Sequence, residues 1–122
     1  MEIHESSEDY LEKILMLQKR LGYVHSIDIV NELGFSKPSV SIAMKKLREN
    51  GYIEMDRENK ITLTESGSKI AKRIYTRHKT LTKFFIHLGV NPKTAEKDAC
   101  KIEHDISDES FSKIKKYLTT NS

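Results

Sequence analysis

Two helical patterns only three residues apart, followed at once by a strand–turn–strand pattern, confine residues 26–63 to very few folds. Ser26 opens a helix over residues 27–33, which Gly34 closes. Ser36 caps the next helix, with Pro38 in its first turn and Val40, Ala43, Met44 and Leu47 at i, i+3, i+4 and i+7. That helix stops at Asn50-Gly51. Residues 52–55 and 60–63 then flank the polar Arg57-Glu58-Asn59 and read as a hairpin. Helix, tight turn, helix and hairpin make a winged helix-turn-helix, in which the second helix of the pair enters a DNA major groove.

The remaining pattern is helical. A first helix is expected from a cap at Ser6 or Ser7 to Leu21, with Leu11, Ile14, Leu15 and Gln18 on one stripe and Gly22 as the stop. A long helix from Glu65 to about Leu88 carries Ile70, Ile74, Leu81, Phe84, Phe85 and Leu88. Asn91-Pro92 starts another, ending near His104, and Ser107 caps a last one holding Phe111, Ile114 and Leu118. The expected fold is mainly α: an N-terminal winged helix-turn-helix over residues 1–72, three helices plus a β-hairpin wing, then a helical region over 73–122. The long helix from about residue 65 links the two.

Composition excludes several classes. No stretch approaches the ~18 apolar residues of a membrane span. The N-terminus is acidic and lacks the basic, apolar layout of a secretory signal. The single Cys100 forms no internal disulfide, which points to a reducing, cytoplasmic setting.

The net charge of +3 conceals uneven placement. Residues 1–12 hold five acids and no Lys or Arg, whereas residues 35–48 hold four bases and no acid. Residues 69–83 carry six bases and no acid, and residues 96–109 six acids against two Lys. Alternating patches of this kind suit a molecule that holds a cation in one place and a polyanion in another. The start of the third helix offers Ser36, Lys37, Pro38, Ser39 and Ser41 at a positive dipole end, where hydroxyls and free N–H groups can hold phosphate. With its apolar stripe turned inward, Ser39, Ser41, Ile42 and Lys45 are left to face the groove. Arg57 and Lys60 stand at the wing tip. Solvated lysines and a plain Ser36 cap are the bland alternative for each residue alone; the set favours DNA.

The densest chemistry lies in residues 98–105, Asp-Ala-Cys-Lys-Ile-Glu-His-Asp. On a helix reaching residue 104, Cys100, Glu103 and His104 at i, i+3 and i+4 share one face. Thiolate, carboxylate and imidazole together form part of a transition-metal site. Asp9 and Glu12, again i and i+3, can add carboxylates, and His78 can add an imidazole. Dipole compensation at Asp9, a solvated Glu12 and a surface His78 are the bland readings.

The tract from Asp98 to Glu109, the Asp9-Tyr10-Leu11-Glu12 element and Tyr75-Thr76-Arg77-His78 resemble the diphtheria-toxin-repressor and manganese-transport-regulator family. The likeness runs from about Ser7 to Leu118. It implies a dimeric, metal-activated repressor of iron- or manganese-uptake genes that binds a palindromic double-stranded operator, with a winged helix-turn-helix and a helical metal-binding and dimerisation region. At 122 residues the chain is similar to the short type without an SH3-like domain. The resemblance carries metal ligation to Asp9, Glu12, His78, Cys100, Glu103 and His104, as a hybrid set. Asp9 and Glu12 follow the manganese branch, Cys100 the iron branch, and the other three both. The iron branch's ancillary site is incomplete, since Thr82 stands where that branch has an acid. Carboxylates suit Mn²⁺ and Fe²⁺, while the thiolate shifts preference toward Fe²⁺, Co²⁺ or Zn²⁺. Fe²⁺ is the first expectation, Mn²⁺ the second, and Co²⁺ or Zn²⁺ can bind in vitro. Phe84, Phe85 and Leu88 are expected at the homodimer face. No membrane and no small organic substrate are expected.

The competing readings are a winged-helix regulator indifferent to metal, a metalloenzyme built on Cys100, Glu103 and His104, and a protein-binding helical module. An enzyme would need an open coordination position and a substrate cleft, for which the sequence offers no second catalytic cluster or Gly-rich loop.

Overall fold

Short helices bounded by strong caps and a hairpin too short to stand alone must bury their apolar faces on one another, and the structure shows how they do so. The computed structural model describes residues 5–121. Among the described residues the elements are α1 (Glu5–Leu21), α2 (Ser26–Leu33), α3 (Lys37–Glu49), β1 (Ile53–Met55), β2 (Ile61–Leu63), α4 (Glu65–His87), α5 (Pro92–Ile102) and α6 (Asp108–Asn121). The chain divides into two compact units, Met1–Lys72 and Arg73–Ser122, and the boundary falls inside α4. The mainly helical winged helix-turn-helix expected from the sequence is the fold observed.

In the first unit α1 packs on α2 and β2, α2 on α3, and α3 on β1. Leu11, Ile14, Leu15 and Leu17 of α1, Ile29 of α2 and Val40, Met44 and Leu47 of α3 are buried, as are Ile53 and Ile61 of the hairpin. Two details of α1 correct the sequence reading. Ser6 and Ser7 are already helical within the described residues of α1, so neither caps it. Gln18 is exposed and Leu17 is buried in its stead, three residues on from Ile14 and seven from Tyr10. The cap of α2 is also shifted by one. His25, in extended conformation, is the N-cap, and its N–H donates to the Asp28 carboxylate at 2.8 Å, which draws Ser26 into the helix.

Ser36 caps α3 as expected, its Oγ accepting from the Ser39 N–H at 3.2 Å. In the turn before it, Phe35 sets its ring edge against Tyr10 with centroids 6.0 Å apart, and burial raises the Tyr10 phenol above its ordinary pKa. The hairpin pairs Ile53 with Leu63, Glu54 with Thr62 and Met55 with Ile61. The Ile61 N–H also donates to the Val24 carbonyl at 2.7 Å, so the segment before α2 adds a bridge to the wing. Each strand is one residue shorter than expected. Tyr52 turns its carbonyl toward the Thr64 N–H, and the Lys60 N–H is taken by the Asp56 carboxylate at 3.0 Å.

In the second unit Ile74 and Leu81 of α4, Ala95 and Ala99 of α5 and Leu118 of α6 are buried. Tyr117 of α6 meets Phe84 and His87 of α4 edge to face, with centroids 6.0 and 5.7 Å apart. Asn91 caps α5, accepting from the Lys93 N–H at 3.0 Å, and Ser107 caps α6, accepting from the Ser110 N–H at 3.1 Å. α5 ends at Ile102, two residues short of the expected end, so Glu103 is its C-cap and His104 lies in the following turn.

Candidate metal centre and nucleic-acid interface

Helices α4 and α5 and the turn after α5 converge on one carboxylate of the second unit. Glu103 is fully buried, a costly place for a charge that is neither paired nor coordinated. Its Oε2 lies 2.9 Å from Nδ1 of His78, one turn along α4 from Ile74. Its Oε1 makes no hydrogen bond among the described residues, and Nε2 of His104 stands 3.5 Å away with the imidazole almost wholly enclosed. Ligand atoms of His78, Cys100 and Glu103 all lie within 4.8 Å of one another. Cys100 is exposed. A buried carboxylate with an oxygen left over, two imidazoles and a thiol form a donor set that a first-row divalent cation fits.

The expected helical face of Cys100, Glu103 and His104 is thereby modified. α5 stops at Ile102, and His104, in the turn that follows, has its Nε2 3.5 Å from the far oxygen of Glu103. Asp9 and Glu12 sit on α1 in the other unit. Asp9 is half-buried, and Glu12 is only 2% exposed, not the solvated charge of the bland reading. Glu8, passed over in the sequence, is buried too. Thr82, at the ancillary position, has its hydroxyl engaged by the His78 carbonyl at 2.7 Å. It faces an open cavity of about 390 Å³ that His78, Lys83 and Glu96 also line.

On α3, Ser36, Lys37, Pro38, Ser39, Ser41, Ile42 and Lys45 are all exposed, while Val40, Met44 and Leu47 are buried and Ala43 half-buried. Ile42 is 58% exposed, which has no packing explanation and suits a residue meant to meet apolar base edges. A shallow cavity of about 400 Å³ between α2 and α3 is lined by Ser26, Ile27, Val30, Lys37 and Ser41. It adds Ser26 to the hydroxyl-bearing groups of this surface. At the wing, Arg57 is exposed. Lys60 is held closer, its Nζ 3.1 Å from the Glu58 carboxylate and 5.1 Å from the Tyr23 ring centre. The hydrogen bond to Glu58 raises the Lys60 pKa, so this ammonium stays charged.

Arg77 is the buried charge that the sequence reading overlooked. It is 2% exposed and engaged by the backbone of the turn that carries Glu103. A signal for it existed. Ile70, Ile74, Arg77 and Leu81 fall on one 3.6-residue stripe, so the periodicity places a guanidinium where an apolar residue is due.

A winged helix-turn-helix joined to helices with a clustered donor set defines a metal-binding regulator of transcription, and comparison with known proteins makes the family definite. Residues 2–60 match the family model described as iron dependent repressor, N-terminal DNA binding domain. Residues 64–121 match the model described as iron dependent repressor, metal binding and dimerisation domain. The chain is 38% identical over 109 residues to the HTH-type transcriptional regulator MntR of Shouchella clausii, covering 89% of this chain and 76% of that one. It is 36% identical over 116 residues to an HTH-type transcriptional regulator of Methanocaldococcus jannaschii, covering 93% of each. Among solved structures it superposes on the manganese regulator SloR with a TM-score of 0.81 and 28% identity, covering 93% of this chain and 53% of that one. The chain thus spans about half the length of that structure. It belongs to the iron-dependent repressor family, whose members are metal-dependent DNA-binding regulators and not enzymes.

Proposed function

We propose that this chain is a metal-activated repressor that binds a palindromic operator as a homodimer and controls iron- or manganese-uptake genes from the cytoplasm. The observation that carries this reading is the buried Glu103, set between His78 and His104 with the Cys100 thiol beside it. Such a carboxylate is stabilised by a cation more than by a hydrogen bond alone. His78, Cys100, Glu103 and His104 hold the ion. Asp9 and Glu12 add carboxylates, a reading supported by their i, i+3 spacing and the family pattern. When bound, the cation supplies charge neutralisation and a fixed ligand geometry. Ser36, Lys37, Pro38, Ser39, Ser41, Ile42 and Lys45 face the operator, and Arg57 and Lys60 follow its backbone. The half-buried Phe84 and Phe85 and the 59%-exposed Leu88 belong to the homodimer face.

Two ions are favoured by different observations. The Cys100 thiolate favours Fe²⁺ over Mn²⁺. Likeness to the manganese regulator SloR and the three carboxylates among the six proposed ligands favour Mn²⁺. Operator DNA selected from a random pool by the metal-loaded protein, then titrated anaerobically under reducing conditions with Mn²⁺, Fe²⁺, Co²⁺ and Zn²⁺, decides between them. The activating ion should tighten binding by about 5- to 150-fold, the usual range of a coupled effector. Glu103→Gln should erase that gain while leaving weak, metal-independent binding. Equal affinity with ion and with chelator would overturn the reading in favour of a metal-indifferent regulator.

A further inference from the structure

The buried guanidinium of Arg77 is employed in a way that a core staple alone does not require. Its Nη1 donates to two main-chain carbonyls, Glu103 at 3.1 Å and Ile106 at 2.7 Å, and its Nη2 donates to the Asp108 carboxylate in the first turn of α6. The Phe111 ring lies beneath it, 5.3 Å from the guanidinium carbon. The three acceptors bracket residues 103–107, the turn between α5 and α6. A helix end leaves carbonyls without intrahelical partners, and water or a small polar side chain ordinarily serves them. Here a charged side chain is buried to do so, at a desolvation cost that is met only because its donors are engaged. What Arg offers beyond a neutral cap is a rigid planar fork that fixes several acceptors at set angles.

The acceptors coincide with the metal ligands. Glu103 is gripped at both ends by consecutive residues of α4: Arg77 takes its carbonyl and His78 takes its carboxylate. Its own N–H donates to the Ala99 carbonyl at 3.0 Å. His104 follows directly in the same turn. Backbone and side chain of Glu103 are therefore referenced to one helix, and a rotation of the turn that freed the Arg77 contacts would move Glu103 and His104 together.

We infer that Arg77 is a positioning residue of the metal centre: by holding the Glu103 and Ile106 carbonyls and Asp108, it presets the turn that presents Glu103 and His104 to the cation. The inference rests on the metal reading above and adds to it a residue that touches no metal. Partners that orient ligands in this way are worth about 10- to 100-fold in metal affinity.

The test is a Co²⁺ titration of the full chain, wild type against Arg77→Lys and Asp108→Asn, following the visible ligand-field bands and affinity, with the melting of the metal-free protein measured in parallel. Lys keeps the charge but has no planar fork to span three acceptors. Asp108, 88% exposed, can lose its charge without disturbing a core. Arg77→Lys should weaken Co²⁺ binding by about tenfold or more and alter its bands, and Asp108→Asn should do so in the same direction to a smaller degree. A folded Arg77→Lys protein with wild-type bands and affinity, merely less stable without metal, would show a staple and overturn the inference. Should Arg77→Lys fail to fold, Asp108→Asn decides on the same readouts. Absence of cobalt bands in the wild type would remove the metal reading itself, and the inference with it. Normal wild-type bands with unperturbed variants would remove only the inference.

Discussion

Gly67 shows how one residue sets a limit on the first unit. A Cβ built there would lie 2.0 Å from the Tyr52 carbonyl oxygen, and the obstacle is backbone, which cannot swing aside. Glycine at this point lets the first turn of α4 seat against the residue leading into β1. Its N–H also donates to the Thr64 hydroxyl at 3.2 Å. Gly67→Ala should therefore destabilise the protein by about 1–3 kcal/mol, the usual cost of overpacking, despite its better helix propensity. Urea unfolding with a chelator present measures this, and an Ala variant as stable as the wild type would show that the contact relaxes freely. Nothing in the sequence around Gly67 signals the approach, because it depends on where Tyr52 lies in space. The proposed ligands stand out more readily in the sequence. Cys100, Glu103 and His78 are chemistry-bearing residues at telling spacings, and the structure gathers them. Arg77 was missed for a physical reason. A charged side chain on a buried stripe looks like surface unless periodicity is allowed to outrank residue type.

At the scale of elements, apolar spacing located the helices, and capping chemistry fixed the starts of α3, α5 and α6, since Ser36, Asn91 and Ser107 each make the bond that their residue type promises. The errors fall at ends. Whether α5 stops at Ile102 or runs on to His104 depends on what receives the released carbonyls, and the receiver, Arg77, is 26 residues from Glu103 in the chain. The wing offers a sharper case, because its turn is governed by Asp56. That carboxylate accepts from the Lys60 N–H at 3.0 Å and the Glu58 N–H at 2.8 Å, while Asn59 takes a positive φ of 62°. The Lys60 and Glu58 N–H bonds hold the Asp56 pKa below the ordinary carboxylate value. A carboxyl with a lowered folded pKa stabilises the turn fully above its unfolded pKa, and that support is lost as pH falls through the folded value. The Glu58 and Lys60 amide chemical shifts should accordingly titrate together, with a midpoint below the ordinary Asp range, and Asp56→Asn should abolish the step. Amides that titrate at the ordinary value would dissociate the turn from its carboxylate.

For the molecule as a whole, net charge is a poor guide to DNA binding. Residues 1–72 hold 11 bases and 12 acids and residues 73–122 hold 10 bases and 6 acids, so the unit with the recognition helix is, if anything, slightly negative. An operator does not sample that total. Within roughly a Debye length of 10 Å at 0.1 M salt, a phosphate beside the start of α3 meets Lys37 together with the exposed hydroxyls of Ser36, Ser39 and Ser41. Salt dependence should thus report the local patch. Each phosphate neutralised steepens the slope of log K against log salt by about 0.9, and a homodimer presents Lys37 twice. Lys37→Ala should flatten the slope by about two while weakening specific and non-specific DNA to a similar degree, since a phosphate contact carries no base identity. Replacing Glu109, exposed in the first turn of α6, by Gln should raise the net charge yet leave the slope within error. If the Glu109 change shifted the slope as much as the Lys37 change, binding would be following total charge, and α3 would lose its place as the surface that meets the phosphates.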